Sequence, residues 1–213
     1  VQKVLMIDMV LNERKDEEME IREYRQTDEI GWVRCRVLAF LDTAYFDNVL
    51  QRKESYENPS IELVAVRDGQ IIGLLDVEYE QVERSVCSRG EGLGGMIWHI
   101  AVHPDYRRQG IGEKLLQEAV NRAIPLGLNR FEAWTRDNHW VQKWYEKMDF
   151  QTVESYYHVY FDGKEGEGII STSVPKLNVV HSFAHYTGDN IDQFRGTNQR
   201  IHECVCFEKY FHA

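Results

Sequence analysis

Residues 96–112 constrain this chain more than any other stretch. The mostly apolar run Met96-Ile97-Trp98-His99-Ile100-Ala101-Val102 stops at His103-Pro104, then passes through Asp105-Tyr106-Arg107-Arg108-Gln109-Gly110-Ile111-Gly112. Beyond that turn Ile111, Leu115, Leu116, Ala119, Val120 and Ala123 recur at helical spacing. The run reads as a central strand buried on both faces, and the spacing after it as an amphipathic helix lying on a sheet. A turn that enters a helix carries N–H groups without intrahelical partners, and the helix dipole adds partial positive charge there. Such a turn can hold a pyrophosphate. Gly110 and Gly112 let those amides come close to a ligand, and Arg107 and Arg108 offer charge-assisted contacts to phosphate oxygens.

The flanking sequence supplies the rest of a mixed sheet. Ile21-Arg22-Glu23-Tyr24 alternates like a first strand, and Thr27 is expected to cap a helix from Asp28 that buries Ile30, Val33, Val37, Leu38 and Leu41. A second, weaker helical segment is expected near Tyr45 to Lys53. Ile61 to Val66, Asp68-Gly69 and Gln70 to Glu80 read as an antiparallel hairpin around a tight Asp-Gly turn. Downstream the long helix stops at Pro125 and Gly127, and Arg130 to Thr135 forms the next strand. Asn138 opens a helix with Trp140, Val141, Trp144, Tyr145 and Met148 on one stripe. Thr152 to Phe161 and Ile201 to Tyr210 read as further strands. Residues 1–18 read as a leader or N-terminal arm. Residues 162–200 make too long a connection to be idle, and are expected to fold onto the domain, on the acceptor side or across a dimer partner.

Composition excludes several classes of function. Among 213 residues the formal net charge is −10, which opposes a polyanionic partner and leaves no expectation of nucleic-acid binding. No apolar stretch has the length a membrane helix needs. The four cysteines show neither C-x-x-C spacing nor the density of a disulfide scaffold, so a reduced, cytoplasmic setting is expected. His181, His185, His202 and Asp189 invite a metal reading, but the surrounding residues lack helical periodicity and no third ligand is indicated. No metal is expected.

Arg107-Arg108-Gln109-Gly110-Ile111-Gly112 resembles the cofactor signature of the GCN5-related N-acetyltransferase family: Arg or Gln, two residues, Gly, one residue, then Gly or Ala. The resemblance runs from about Met19 to Phe161 and includes Asn138 to Phe150, where Val141 stands for the usual Ala and Asp149 for the usual Gly. It implies a mixed α+β fold: a central, mostly antiparallel twisted sheet of about seven strands, with helices on both faces and two central strands splayed around an acyl-CoA. The core would cover 19–161, with 162–200 inserted before a last strand over 201–213.

By that resemblance the chain is an acetyl-CoA-dependent N-acetyltransferase acting on a primary amine of a small molecule or peptide, by direct attack through a tetrahedral intermediate. Ile100, Ala101 and Val102 would meet the pantetheine arm through the main chain. Arg107, Arg108, Gln109, Gly110, Ile111 and Gly112 would hold the pyrophosphate, with Asn138, Trp144 and Tyr145 completing the cofactor site. Tyr145 would protonate the departing thiolate. The central strand has no carboxylate where some relatives carry a catalytic glutamate, so His99 and Glu78 are the candidate bases. Asp76 and Glu78, with Glu80 extending the row, share one face of the neighbouring strand; Asp76, Glu78 and Trp98 are the candidate acceptor residues, against the alternative of a solvated strand face. The competing expectations are a longer acyl-CoA as donor, or a non-catalytic acyl-CoA-binding module. Tyr156, Tyr157, Tyr160, Phe183 and Tyr186 would wall an acceptor pocket or pack a homodimer interface.

Overall fold

A computed structural model describes residues 19–211; the leader expected over 1–18 lies outside them. Eight strands form one sheet in the order β1-β2-β3-β4-β5-β8-β6-β7. They are β1 (Glu20–Glu23), β2 (Ser60–Arg67), β3 (Gln70–Tyr79), β4 (Gly94–Val102), β5 (Arg130–Arg136), β6 (Gln151–Asp162), β7 (His181–Tyr186) and β8 (Ile201–Tyr210). Every neighbouring pair is antiparallel except β4 with β5. The eighth strand, one more than expected, is β7 from the 162–200 segment, which extends the sheet at its far edge. The β2–β3 turn is the expected hairpin: Asp68 (φ 52°) and Gly69 (φ 73°) both adopt the left-handed conformation that a two-residue connection of this hand needs.

Helices cover both faces. On one, α2 (Ile111–Ala123) and α3 (His139–Lys147) lie over an apolar layer that includes Leu63, Leu75, Val77, Ile97, Phe131, Ala133 and Phe207. The contact is close because Gly73 on β3 has no side chain: a Cβ there would sit 2.9 Å from Ile111 and 3.1 Å from Leu115. On the other face α1 (Glu29–Phe40) packs Trp32, Cys35 and Ala39 on Val64, Ile71, Leu74 and Ala101.

Four local expectations are corrected. The buried face of α1 is Trp32, Cys35, Arg36 and Ala39, while Ile30 is 67% exposed and Leu38 and Leu41 are also exposed. Apolar residues occur on several sides of this helix, so spacing alone did not single out a face. Its N-cap is Asp28, with Thr27 inside a preceding 3-10 turn. The helix expected near Tyr45 to Lys53 is absent; this stretch is a chain of turns. Central strand β4 is not buried on both faces throughout, since Trp98 is 49% exposed.

Candidate active site

The parallel ladder between β4 and β5 runs from Gly94↔Arg130 to Ile97↔Ala133 and stops there, although both strands continue. Beyond Ile97 the two strands no longer share hydrogen bonds, and a gap opens. One cause is an extra residue in β4. Val77 on β3 pairs with Ile97 and Asp76 with His99, so Trp98 is bulged, and a bulge bends its strand. Main-chain direction past the bulge follows from alternation. His103 N–H bonds Ile72 C=O on β3, so Ala101 and His99 also face β3, while the polar groups of Ile100 and Val102 turn toward the gap.

The gap leads to the turn that enters α2. Arg108 (φ 63°) and Gly110 (φ 76°) are both left-handed, and the first intrahelical bond is Lys114 N–H to Gly110 C=O at 3.0 Å. The N–H groups of Ile111, Gly112 and Glu113 precede that bond and are open to a ligand. A Cβ on Gly110 would meet nothing within 4 Å, so the space before the turn is empty; one on Gly112 would touch Trp144 at 3.4 Å. Arg108 and Gln109 are exposed, and Gln109 accepts from Arg67 at 3.0 Å. Arg107 is directed elsewhere. Its guanidinium donates to Ala39 C=O at 2.9 Å and to Asp42 at 3.3 Å, and lies over the Trp140 ring, tying the turn to the end of α1.

Helix α3 closes the third side. Asn138 is its N-cap and accepts the Val141 N–H on its carbonyl, but its buried side-chain Nδ2 has no partner. A buried amide donor left unpaired carries a desolvation cost that a bound acceptor would remove. Tyr145 is almost fully buried, stacked on Phe207 and edge-on to Trp144 and Phe150. Burial, with a smaller contribution from Tyr45, pushes its phenol above the ordinary range, so it stays protonated at neutral pH.

The α1 face holds the remaining sequence candidates. Asp76 is wholly buried, bonded by Tyr56 at 2.8 Å and by Lys53 at 2.9 Å. Burial raises its pKa against the pull of Lys53, and its second oxygen, Oδ1, is buried without a hydrogen-bond partner among the described residues. Glu80 is sealed beneath the loop before β4, where it accepts from Cys87 and Gly94 N–H groups. The row is therefore not a solvated strand face. Glu78 accepts from Asn58 N–H and Nδ2 and from Trp98 Nε1 at 2.8–2.9 Å. Burial works against its ionisation, but these donors outweigh it and hold the carboxyl below its usual range. His99 lies between Arg36, whose Nε donates to Nδ1 at 3.3 Å, and Glu54, 2.5 Å from Nε2. Glu54 and Tyr45 were not anticipated: both sit in the connection after α1, where no periodic pattern marks a residue as inward-facing.

The segment 19–150 matches the family model described as Acetyltransferase (GNAT) family. The chain belongs to the GNAT acetyltransferase family. An acetyltransferase of Pectobacterium atrosepticum is 31% identical over 141 residues, covering 64% of this chain and 90% of that protein. Among solved structures, a GNAT acetyltransferase from Streptococcus pneumoniae superposes with a TM-score of 0.57 at 17% identity, covering 92% of this chain and 100% of that one. Arabidopsis thaliana NAA60, solved with acetyl-CoA, gives 0.54 at 16% identity, with 91% and 100% covered.

The GNAT match ends at Phe150, ahead of the strands that carry the late histidines. His181 pairs with Asp162 at 3.0 Å, His185 stacks on His158 with ring centres 4.8 Å apart, and His202 bonds Asp137 at 2.7 Å. Among the described residues no three His, Cys, Asp or Glu side chains are arranged to hold a metal ion. No described helix is long and apolar enough to cross a membrane. The four cysteines are free thiols, and burial pushes Cys35 up to about 12 and Cys204 to about 11. The late aromatics divide between the faces of the edge strands: Tyr156 and Phe183 lie against His158 and His185, with Tyr160 against Phe183, while Tyr157 and Tyr186 pack with Val159, Phe161 and Ile191.

Proposed function

We propose that this GNAT protein moves an acetyl group from acetyl-CoA to a primary amine of a small molecule or peptide. The observation that carries the reading is the β4–β5 gap, an open main-chain edge at Ile100 and Val102 that runs directly into the unfilled turn before α2. The fit of acetyl-CoA is supported by the orphaned Asn138 Nδ2, the open amides at Ile111 and Gly112, and the NAA60 complex. In this assignment the turn amides and Arg108 hold the pyrophosphate, Gln109 flanks it, and Arg107 fixes the turn against α1. Ile100, Ala101 and Val102 line the pantetheine path, and Trp144 and Asn138 its other wall.

Bound acetyl-CoA supplies an activated thioester, and the protein has to place the amine and manage two protons. Tyr145, kept as a phenol by burial, is suited to give a proton to the departing sulfur. Glu78 is suited to attract an amine arriving as ammonium: Asp76 is paired with Lys53 and Glu80 with Arg130, but no Lys or Arg among the described residues pairs with Glu78. The exposed Trp98 ring beside it adds a cation-binding face. His99 and Glu54 form the proton route, with Glu54, about half exposed, as its solvent end. The bonds that hold His99 and Glu78 favour one competing reading, a module that binds acyl-CoA without turning it over.

Calorimetric titration with acetyl-CoA, CoA and a longer acyl-CoA, followed by an amine panel, tests both readings. Gly110→Trp fills the empty space before the turn and should abolish binding. Tyr145→Phe should lower turnover about 100-fold with acetyl-CoA affinity unchanged. A folded protein that binds acetyl-CoA but acetylates no amine supports the binding module, and normal binding by Gly110→Trp removes the turn from the site.

A further inference from the structure

The connection after α1 sends a tyrosine into the gap from the side opposite Tyr145. Tyr45 Oη accepts the Arg136 N–H at 3.0 Å. Strand alternation places that amide. Arg200 C=O bonds Tyr160 N–H on β6, so Cys204, four residues on, also faces β6. Arg136 lies opposite Cys204 and forms with it a pair without ladder bonds, which turns the Arg136 N–H away from β8. It therefore points to where β4 would be if the ladder continued past Ala133. The hydroxyl of Tyr45 stands on the β5 wall of the gap while Ile100 and Val102 form the β4 wall. Its oxygen accepts the amide, and the neighbouring Thr135 hydroxyl is within reach of both that oxygen and Arg136 C=O; with Thr135 donating, the Tyr45 proton is left to donate into the gap.

The loop that carries Tyr45 is held by arginines from four parts of the fold. Arg136 donates to Ala44 C=O at 2.6 Å and lies 4.3 Å from the Tyr45 ring centre. Arg200, just before β8, donates to Ala44 C=O and forms a two-pronged pair with Asp47 at 2.5 and 2.9 Å. Arg36 of α1 holds Asn48 through its carbonyl and side chain, and Arg107 of the cofactor turn holds Ala39 and Asp42. Four separate anchors on one short loop without regular structure fix its Tyr45 hydroxyl in place, as a preorganised donor requires. Burial offsets only part of the cost of ordering this loop: Phe46 and Val49 on it are exposed, while Leu50 packs on the α1 cluster and the Tyr45 ring on Phe40.

We propose that Tyr45 is a second hydroxyl donor of the reaction cleft, acting on the thioester end of acetyl-CoA from the β5 wall while Tyr145 acts from the α3 side. The proposal rests on the acetyl-transfer reading. In the step it serves, the amine nitrogen bonds to the acetyl carbon as the carbon–sulfur bond breaks. An amine arriving as ammonium first loses its extra proton along the His99–Glu54 route to solvent; Tyr145 then gives its proton to sulfur and regains, through water, the proton that the acylated nitrogen sheds. Tyr45 donates a hydrogen bond and keeps its proton. Asp47 and Arg200 are positioning residues, since they act through the loop.

The test uses acetyl-CoA with hydroxylamine as a minimal amine, read as thiol release, alongside acetyl-CoA titration. Tyr45→Phe should bind acetyl-CoA within about twofold of the parent and release thiol about tenfold more slowly. Asp47→Asn should slow the parent and leave the Tyr45→Phe protein no slower, because a strap matters only if it holds the hydroxyl. A Tyr45→Phe protein at the parent rate overturns the proposal, including the case in which Tyr45→Ala is slow, since the ring then only packs. A parent that fails to bind acetyl-CoA removes the transfer reading and this proposal together; a parent that reacts normally beside an unaffected Tyr45→Phe removes Tyr45 alone.

Discussion

On the side covered by α2 and α3 the sheet presents Leu63, Leu75, Val77, Phe131 and Phe207, whereas its other side adds to the apolar patch under α1 (Val64, Ile71, Leu74 and Ala101) a set of polar groups, Asp76, Glu78, Glu80, Arg130, Glu132, Arg136 and His158, all buried. The first face is stabilised by removing apolar area from water, at about 25 cal/mol per Å². Away from the apolar patch under α1, the second holds together by pairing: Arg130 lies among Glu80, Glu132 and Glu208 at 3.3–3.8 Å, and Glu132 accepts further bonds from Ser88, Arg89 and Trp134. A buried network of charges is a poor source of net stability but a strict geometric constraint, because each group left without its partner is costly. The apolar face thus anchors the sheet, and the polar face fixes a buried Glu78 beside the half-exposed Trp98 that donates to it.

Neighbouring residues on β5 separate the two mechanisms. Phe131→Ala removes a fully buried ring from the apolar layer and Arg130→Leu removes the shared cation from the opposite one; each should lower unfolding stability by about 3–5 kcal/mol. Urea denaturation as a function of pH tells them apart. The Arg130→Leu loss should shrink on acidification, as protonation relieves the unpaired carboxylates, and the Phe131→Ala loss should not. Parallel pH profiles would mean that Arg130 contributes packing rather than charge compensation.

A smaller effect is expected at the edge of the polar face. His158 is held between Arg136 Nε, which donates to Nδ1 at 3.0 Å, and the Tyr156 hydroxyl, 3.0 Å from Nε2. Burial first, then Arg136, His185 and His202, brings its pKa down to about 4. Between the ordinary value of 6.5 and about 4 the unfolded chain takes up a proton and the folded one does not. Stability from this site is thus complete above the upper value and falls as pH drops through the window, by about 2 kcal/mol, less than full conversion of the shift because His185 and Phe183 beside it are exposed. His158→Gln keeps a side-chain acceptor for Arg136 and should flatten that part of the stability profile. An unchanged slope would place the acid sensitivity in other groups.

The same contrast explains what the sequence disclosed. Apolar periodicity located α2 and all of its buried residues, Ile111, Leu115, Leu116, Ala119 and Ala123, because the face it packs on is uniformly apolar. The turn at Arg107 to Gly112 was legible because φ values of 76° at Gly110 and an open helix start depend on local chemistry. The polar face was not legible. Asp76, Glu78 and Glu80 alternate like a solvent-facing row, and only the partners brought from other elements, Lys53, Asn58, Trp98 and Arg130, make their burial tolerable. Glu54 and Tyr45 were hidden for a related reason: loop residues gain their positions from long-range bonds that leave no period in the chain.

Helix α1 lies over the polar side, and it shows how far the ambiguity reaches. Trp32, Cys35 and Ala39 fill the contact with β2, β3 and β4, and Arg36 turns inward to reach His99, so one polar residue occupies the buried face while Ile30, Leu38 and Leu41 stay outside. Ile30→Lys should therefore change stability by no more than about 0.5 kcal/mol, the scale of an exposed substitution. Ala39→Lys, on the buried face of the same helix, should cost several times that, because a cation would enter a site 5% exposed with no carboxylate provided for it. The pair is read from thermal or urea midpoints of the two variants. If Ile30→Lys proves as damaging as Ala39→Lys, the outer stripe of α1 is covered in solution, and the boundary between the apolar and polar sides of this protein would have to be redrawn to include it.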